Sequence, residues 1–432
     1  MNSLTAAASS PWVQRNCIIS TCPSKFSTSQ SYHSSSTSPP CYRVVCLSGS
    51  QPQHIGIASG LKFVLHDALD SSAVDTSHAR EAREGFSLQI EKLSDIERDT
   101  SISINRRVDL GKTALYIAAE DDSLVSHSSV PLPVDAFVER LDDLSMGYCS
   151  HYNSSFKLSP EIFLDSLERY LYVKKGFRRT NVKILSEPRA LYLHTVLTHR
   201  SGSAVMLSLI YTEMLKMLRL WGLLNFDVEI FFPHDLHSLP RAYPKQKSKE
   251  SDQAHIMTAQ TLLEEILKDL KVAFWPFHHD YTKSLFLRAA HAANCVDRSN
   301  TAEDSGFQLA SAKAAKHRLE RGVWTSVCLG DMRRALSACE RLILLGIDSK
   351  ELRDYSILLY HCGFYEQSLQ YLKFYQKTKS SSLQKQSADS ISNMEEDAVE
   401  KLMIRLNLIL MEGGWSNPSY SRNFFANNSE PW

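Results

Sequence analysis

A short polar turn, Arg200-Ser201-Gly202-Ser203, runs directly into an apolar segment that is predicted to form a helix from Ala204. A cysteine at the start of such a helix would be a nucleophile, because the helix dipole lowers the pKa of its thiol. This turn offers Ser203 and Ala204 instead of a cysteine. The turn is therefore either an active site with a changed nucleophile or a site without chemistry.

The hydroxyl of Ser203 has two possible roles. As an N-cap, its oxygen would accept a backbone N–H of the first helical turn, which contributes about 1 kcal/mol. As a nucleophile, it would need a base in contact, because a hydroxyl gains far less from a helix dipole than a thiol does. The cap is the favoured interpretation and the nucleophile is the alternative.

Motifs for other chemistries do not occur in the sequence. It contains no GxGxxG or GxxxxGK[ST] phosphate loop, no HExxH and no GxSxG. His278-His279 precedes Asp280 and could bind a metal, but a solvated loop is the preferred interpretation. The nine cysteines include no CxxC pair, so neither a zinc site nor a disulfide framework is indicated. We expect no cofactor and no metal.

The composition is that of a soluble globular protein, with 43% hydrophobic and 22% charged residues. The formal net charge is zero, which argues against bulk electrostatic binding of nucleic acid. The most apolar segment, 203–224, carries Glu213, Lys216 and Arg219. These charges are too many for a bilayer, so no membrane span is predicted.

The first 66 residues differ from the remainder, because they contain no acidic residue and are rich in serine and threonine. Scattered basic residues and the lack of an apolar core favour an organelle transit peptide over a secretory signal. The serine content and the absence of an arginine-rich amphipathic helix favour the chloroplast. A disordered polar tail is the alternative.

Apolar spacing predicts helices from Val134, from Pro160 with Ser159 as N-cap, and over 258–275. Alternation over 226–232 predicts a strand that ends at Pro233. The polar, proline-containing segment after Pro233 is predicted to be an exposed loop.

Two similar stretches, Gly330–Leu336 and Gly363–Leu369, lie 33 residues apart. Tetratricopeptide repeats have a period of 34, with a glycine in the turn between two helices. We therefore expect tetratricopeptide-like hairpins over 310–376, with a generic helical hairpin as the alternative. Two such repeats are few for an independent solenoid, so they should pack on the preceding domain.

Three blocks in order resemble the SirB-type family, which joins a transglutaminase-like domain to tetratricopeptide repeats. They are ALYIAAEDD with VDAFVERLDDL, HRSGSAVMLSLIYTEMLKMLRLWG with VEIFFP, and GDMRRALSACERLILL with ELRDYSILLYHCGFYEQSLQYL. Together with the transit segment, they resemble the plant, plastid-targeted branch of that family.

The resemblance implies a cysteine, a histidine on a neighbouring strand and an acidic partner, and it puts the nucleophile at Ala204. His234 and His237 match the position of the base, but surface histidines are the favoured interpretation. Trp275-Pro276-Phe277 is similar to the stretch that holds the acidic partner in the family, but it has no acidic residue before the proline. Arg200, Gly202, Ser203, Ala204 and His234 therefore mark a remnant pocket, and none is predicted to be catalytic.

We expect a predominantly helical α+β protein with a degenerate transglutaminase-like domain. The predicted function is a non-catalytic protein-binding factor in the chloroplast stroma, which would bind a protein partner through the helical repeats. The alternative is an acyl-transfer hydrolase that uses Ser203 with His234. The predicted parts are a transit segment (1–66), a helical or irregular linker (67–111), a transglutaminase-like domain (112–300), the repeats (310–376), a disordered linker (377–396) and a terminal helix with a tail (397–432).

Overall fold

The chain is seen in a computed structural model. The structure describes residues 62–99, 101–103, 107–126, 130–152, 159–180, 188–231, 238–245, 256–277, 283–296, 330–381 and 390–416. The predicted transit segment up to residue 61, His234, His237, 278–280, 310–329 and the tail from 417 lie outside these ranges.

The described chain is mostly helical, with four short strands, so the predicted fold class is confirmed. A π-helical turn, Arg169–Lys174, continues α6, and a 3-10 turn, Pro188–Leu191, precedes α7. The helices are α1 (Leu65–Ser71), α2 (Ser77–Glu91), α3 (Asp95–Asp99), α4 (Leu110–Ser126), α5 (Val134–His151), α6 (Pro160–Glu168), α7 (Leu193–His199), α8 (Ala204–Leu220), α9 (Ala259–Phe274), α10 (Leu285–Ala292), α11 (Met332–Leu345), α12 (Lys350–His361), α13 (Tyr365–Ser381) and α14 (Ser390–Ser416). The strands are β1 (Arg178–Arg179), β2 (Ser201–Gly202), β3 (Val228–Phe231) and β4 (Arg241–Pro244).

Helix α8 lies at the centre of the first of two hydrophobic cores. Every residue from Ala204 to Leu215 is buried, so this helix is enclosed on all sides rather than amphipathic. Helices α2, α4, α5, α7 and α9 supply side chains around it. Strand β3 contributes Val228 and Ile230 to the same core and pairs antiparallel with β4.

The second core is formed by α1 and by α10 to α14. Helices α12 and α13 pack together across Gly363, whose φ of 86° lies in the left-handed region that glycine adopts most readily. Gly330, before α11, has the same backbone conformation, with a φ of 74°. Each of the two glycines is thus followed by a helix, α11 after Gly330 and α13 after Gly363. The part of the predicted repeats before Gly330 lies outside the described residues.

Helix α11 belongs to both cores. Ala338, Leu342 and Leu345 pack into the first core, whereas Met332 and Leu336 pack into the second. Its main neighbour in the first core is α9. Through α11, the C-terminal helices pack on the part of the chain that precedes them.

A buried ion cluster joins α2, α4 and α11. Glu120 accepts hydrogen bonds from Arg83 at 2.8 Å (Nε) and 2.6 Å (Nη2), and Arg83 Nη1 donates to Glu340 at 2.8 Å. Arg341 forms an ion pair with Asp121 and lies 3.7 Å from Glu120. Burial alone would raise the pKa of Glu120, but the adjacent guanidiniums of Arg83 and Arg341 outweigh burial and lower this pKa below its ordinary value.

Several predicted boundaries differ from the structure. The segment predicted as a loop after Pro233 contains β4, which the sequence conceals because Ala242 and Pro244 are its inward residues. Ser159 precedes α6, but its side chain makes no capping hydrogen bond.

The predicted spans at the two ends of the folded part also differ. The span 67–111 holds most of α1, all of α2 and α3, and the start of α4. Helices α13 and α14 extend into the predicted linker 377–396 from both sides, because polar residues continue a helix beyond the core that anchors it. Leu65 and His66, placed in the transit segment, are buried in α1.

In the ranges that the structure describes, no helix combines the length and the apolar character that a bilayer crossing requires.

We expect Glu120→Gln to lower the free energy of unfolding at pH 7 by about 3–5 kcal/mol, because it leaves buried guanidiniums without their full countercharge. The pKa of Glu120 is lowered in the folded state, so its contribution is present above the ordinary value of 4.5 and is lost as the pH falls below it. Urea unfolding at pH 7 and near pH 3.5 should therefore show a smaller difference between variant and wild type at the lower pH.

Glu84→Gln, at an exposed position of α2, is the matched control. Its effect should stay within about 0.5 kcal/mol at both pH values. Equal effects of the two substitutions would contradict the role assigned to the cluster.

Candidate functional site

The candidate turn begins where α7 ends. Arg200 has a φ of 57°, in the left-handed region, and its amide donates to the carbonyl of Val196 at 2.8 Å. This is the conformation that commonly ends a helix, where glycine is the usual residue. Arg200 itself is exposed, so its backbone shapes the turn and its side chain projects from the fold.

Backbone hydrogen bonds hold the turn on two sides. Ser201 and Gly202 form β2, which pairs parallel with Arg178 and Arg179 of β1. The amide of Thr180 donates to the carbonyl of Gly202 at 3.0 Å. On the other side, the Ser203 amide donates to the carbonyl of Ala190 at 3.0 Å.

Gly202 is required by close packing. A Cβ atom at this position would lie 2.7 Å from Cγ1 and 2.8 Å from Cγ2 of Val196. Valine methyl groups have little freedom to move away, because χ1 of a β-branched residue in a helix is restricted. The turn and the last turn of α7 are thus tightly packed against each other.

Ser203 is the N-cap of α8, as predicted. Its backbone is extended, and its Oγ accepts a hydrogen bond from the Met206 amide at 3.3 Å. Among the described residues, this hydroxyl hydrogen-bonds to no imidazole. Ala204 follows as the first residue of α8, and this residue is 4% exposed.

Two described histidines lie on α7, close to the turn in sequence. His199 is exposed and its Nδ1 lies 2.9 Å from the carbonyl oxygen of Thr195. His194 packs its ring against Phe137 and Tyr192, and burial lowers its pKa. The Nδ1 atom of His199 is thus bonded within α7, whereas the buried Nδ1 atom of His194 has no hydrogen-bond partner among the described residues.

His234, the predicted base, lies outside the described residues, so its distance from Ser203 is not described. The chain re-enters the described part at Ser238, four residues later. The carbonyl of Ser238 accepts a hydrogen bond from Arg179 Nη1 at 2.6 Å. Arg179 is the register partner of Gly202, so this part of the chain lies beside the strand that borders the turn.

The position that the resemblance gives to a third partner is part of the second core. Trp275 and Phe277 are buried there, and Asp280 lies outside the described residues. Where the structure describes the chain, no three His, Cys, Asp or Glu side chains are close enough together to hold a metal ion.

The part of the chain that contains the turn is similar to a known family. The model of the transglutaminase-like superfamily matches residues 135–221. Residues 135–221 form a transglutaminase-like superfamily domain. The comparisons with curated proteins and with solved structures gave no match.

The matched residues of the transglutaminase-like domain begin in α5 and end just after α8. They include the turn and the helix that it caps. The β3–β4 hairpin and the C-terminal helices lie outside the match, and so does the ion cluster. The matched domain therefore contains the turn that leads into α8, and this turn carries Ser203 and Ala204.

The ion cluster is the feature that sequence reasoning missed. Glu120 and Asp121 stand among apolar residues of α4, and two acids within a buried stripe are a signal that charged partners are needed. The sequence does not say which basic residues supply them. The side chains of the cluster are buried and pair with one another, so we assign it to holding α2, α4 and α11 together.

We expect Ser203→Ala to lower the free energy of unfolding by about 1 kcal/mol, because the Met206 amide loses its acceptor. Ser203→Asp should keep the stability within a few tenths of a kcal/mol, since aspartate is an equally good N-cap. Urea denaturation of the three proteins would test the cap. Equal decreases in the free energy of unfolding for Ser203→Ala and Ser203→Asp would contradict the role of Ser203 as an N-cap.

Gly202→Ala should destabilise the protein by about 1–3 kcal/mol, because the added methyl group overlaps Val196. The double variant Gly202→Ala/Val196→Ala removes the overlapping methyl groups. We therefore expect the double variant to lose less free energy of unfolding than the two single variants lose together, as measured by denaturation in a double-mutant cycle. Simple additivity would show that the two residues do not press on each other.

Proposed function

We propose that this protein is a non-catalytic member of the transglutaminase-like superfamily that binds a protein partner in the chloroplast stroma. One observation carries the proposal: at the start of the central helix, the residue in the nucleophile's position is Ala204, and the adjacent Ser203 hydroxyl is used as an N-cap. A methyl group cannot attack a carbonyl carbon. Among the described residues, no histidine hydrogen-bonds to the Ser203 hydroxyl, and a hydroxyl without a base in contact is not activated.

The C-terminal helices supply a surface for a partner. A groove of about 510 Å³ lies between the end of α2 with α3 and the turn from α11 to α12. The floor of the groove is apolar. The buried side chains of Ile90, Leu93, Ile343 and Leu352 contribute to this floor. Grooves between helices commonly take up the apolar face of a peptide or helix.

The charges around the groove indicate the chemistry of the partner. Three carboxylates, Glu91, Asp95 and Asp348, stand along it with a single guanidinium, Arg98. That guanidinium donates to Gln260 and to the carbonyl of Leu345, so it is directed into the fold. We infer that the partner presents an apolar segment flanked by lysine or arginine, whose charges complement the acidic rim.

The proposal has two further parts. The protein is located in the chloroplast, and α11 to α13 belong to tetratricopeptide-like repeats. The acid-free, serine-rich composition before residue 67 supports plastid import. The shared left-handed glycines at 330 and 363 support a repeat. The resemblance to the plastid branch of the SirB-type family unites these features.

A second function is favoured by one contact. Ser238, which is four residues after His234 in sequence, lies against Arg179 beside the turn. An acyl-transfer hydrolase would use Ser203 as the nucleophile and His234 as its base. Such an enzyme would carry a covalent acyl group on Ser203 during turnover.

An affinity pull-down of the full chain from chloroplast stroma, read by mass spectrometry, tests the proposal. We expect one partner to be retained by wild type and by Ser203→Ala alike. The double variant Glu91→Lys/Asp348→Lys should lose it, because the reversed charges repel a basic segment. Raising the salt concentration should weaken the wild-type complex.

Glu84→Lys is the matched control, since it reverses an exposed charge on α2 that does not line the groove. Equal capture by the groove variant and wild type would refute the assignment of the groove. An acyl adduct on Ser203 that is absent from Ser203→Ala would refute the non-catalytic function and support the hydrolase.

A further inference from the structure

The sequence that leads into the candidate turn, residues 169–203, is strongly basic. It contains eight lysines and arginines and one acidic residue, Glu187, although the whole chain has 48 basic and 48 acidic residues. An even mixture would place about as many acids as bases in this span. The turn therefore lies in a concentration of positive charge that the net charge of zero conceals.

Four exposed arginines stand around the turn, and they are Arg140, Arg178, Arg189 and Arg200. Two of them are neighbours across the β1–β2 pair. Arg178 is the register partner of Ser201, and its amide donates to the carbonyl of Arg200 at 2.9 Å. Paired strands lie about 4.8 Å apart, so the backbones that carry these two guanidiniums are close together.

The other two arginines are connected to the turn by hydrogen bonds of their own parts of the chain. Arg189 directly precedes Ala190, whose carbonyl accepts a hydrogen bond from the Ser203 amide at 3.0 Å. Arg140, on α5, donates to the hydroxyl of Thr198 at 3.5 Å, close to the end of α7. Four separate parts of the chain thus bring a guanidinium to one turn. These four residues are called the arginine cluster below.

The arginine cluster lacks the countercharges that other arginines of this protein have. Arg83 pairs with Glu120, and Arg341 pairs with Asp121. Where the chain is described, none of the four arginines of the cluster forms an ion pair. Adjacent like charges repel each other, so the cluster adds repulsion to the folded state. A negatively charged partner would offset that repulsion.

Arg200 occupies a position at which the fold favours glycine. Its φ of 57° lies in the left-handed region, where side chains are disfavoured and glycine is the usual residue after a helix. Its side chain is exposed and hydrogen-bonds to no other described residue. The side chain is therefore present at a cost to stability that no contact within the described chain offsets.

We propose that the arginine cluster binds an acidic segment of a partner protein. Guanidiniums pair with carboxylates through two parallel hydrogen bonds, and clustered arginines are a recurring means of recognising acidic motifs. The cluster shares no residue with the acidic groove between α2 and the α11–α12 turn. The assignment therefore does not rest on the partner proposed for that groove.

Nucleic acid is a less suitable partner for the arginine cluster. Proteins that bind single strands stack the bases on exposed aromatic side chains. The exposed aromatic residues of the described chain are Trp221 and Tyr243, and neither lies within residues 169–203. The chain as a whole is neutral, so it lacks the extended positive field that attracts a polyanion from a distance. Carboxylates in direct contact with guanidiniums need no such field.

Fluorescence anisotropy of a short labelled polyglutamate peptide, titrated with the full chain, tests the proposal. We expect a dissociation constant of about 10–100 µM at low salt, which rises as the salt concentration is raised. The double variant Arg178→Gln/Arg200→Gly should bind the peptide at least about tenfold more weakly, because it removes two of the four guanidiniums.

Lys373→Gln/Lys377→Gln is the matched control, since it also removes two exposed positive charges, from α13. It should change the dissociation constant by less than about twofold. Thermal unfolding separates binding from folding. Arg200→Gly alone should keep or raise the melting temperature, because glycine favours the left-handed backbone, and it should still weaken peptide binding.

Three results would overturn the proposal. The first is a wild-type chain that does not bind the peptide at low salt, or that loses binding equally in the arginine variant and the lysine control. The second is a lower melting temperature for Arg200→Gly, which would assign this side chain to the fold. The third is tighter binding of a single-stranded oligonucleotide of equal charge, which would make the cluster a nucleic-acid surface.

Discussion

The ion cluster of Arg83, Glu120, Glu340 and Arg341 is the interaction on which the fold most depends. Taking these charges out of water costs several kcal/mol each, and only complete pairing offsets that cost. A shift of α2, α4 or α11 along its axis would leave buried charges unpaired, so these three helices must pack in one register. Because α11 contributes to both hydrophobic cores, that register also determines how the second core sits on the first.

The same cluster extends to the candidate site. Asp121, which forms an ion pair with Arg341, accepts a hydrogen bond from the hydroxyl of Tyr192 at 2.7 Å. Tyr192 stands directly before α7, and α7 ends at Arg200, where the turn begins. The position of Ser203 thus follows from a chain of contacts that starts in the ion cluster. Each of these contacts is made by residues other than Ala204, so the position of the turn does not depend on which side chain occupies that residue.

The parts of the fold that depend on local spacing were predictable from sequence. The apolar run after Ser203 predicted α8 and its N-cap, because capping and periodicity are encoded within a few positions. The alternation before Pro233 predicted β3 in the same way. Strand β4 was missed because its inward residues are an alanine and a proline, which carry little hydrophobic signal. The ion cluster was missed for a different reason: periodicity can show that Glu120 is buried, but not which distant arginine it meets.

Arg83 and Glu340 are 257 residues apart in the chain. During synthesis at about 5–20 residues per second, Arg83 emerges roughly 13–50 s before Glu340. For that interval, Arg83 and Glu120 lack the charges that α11 supplies, and α11 does not yet cover the apolar surfaces on which it packs. The charge pairing of the N-terminal helices is therefore complete only when the last third of the chain arrives. Any later passage of the chain in the same direction through a membrane pore would impose the same order of events.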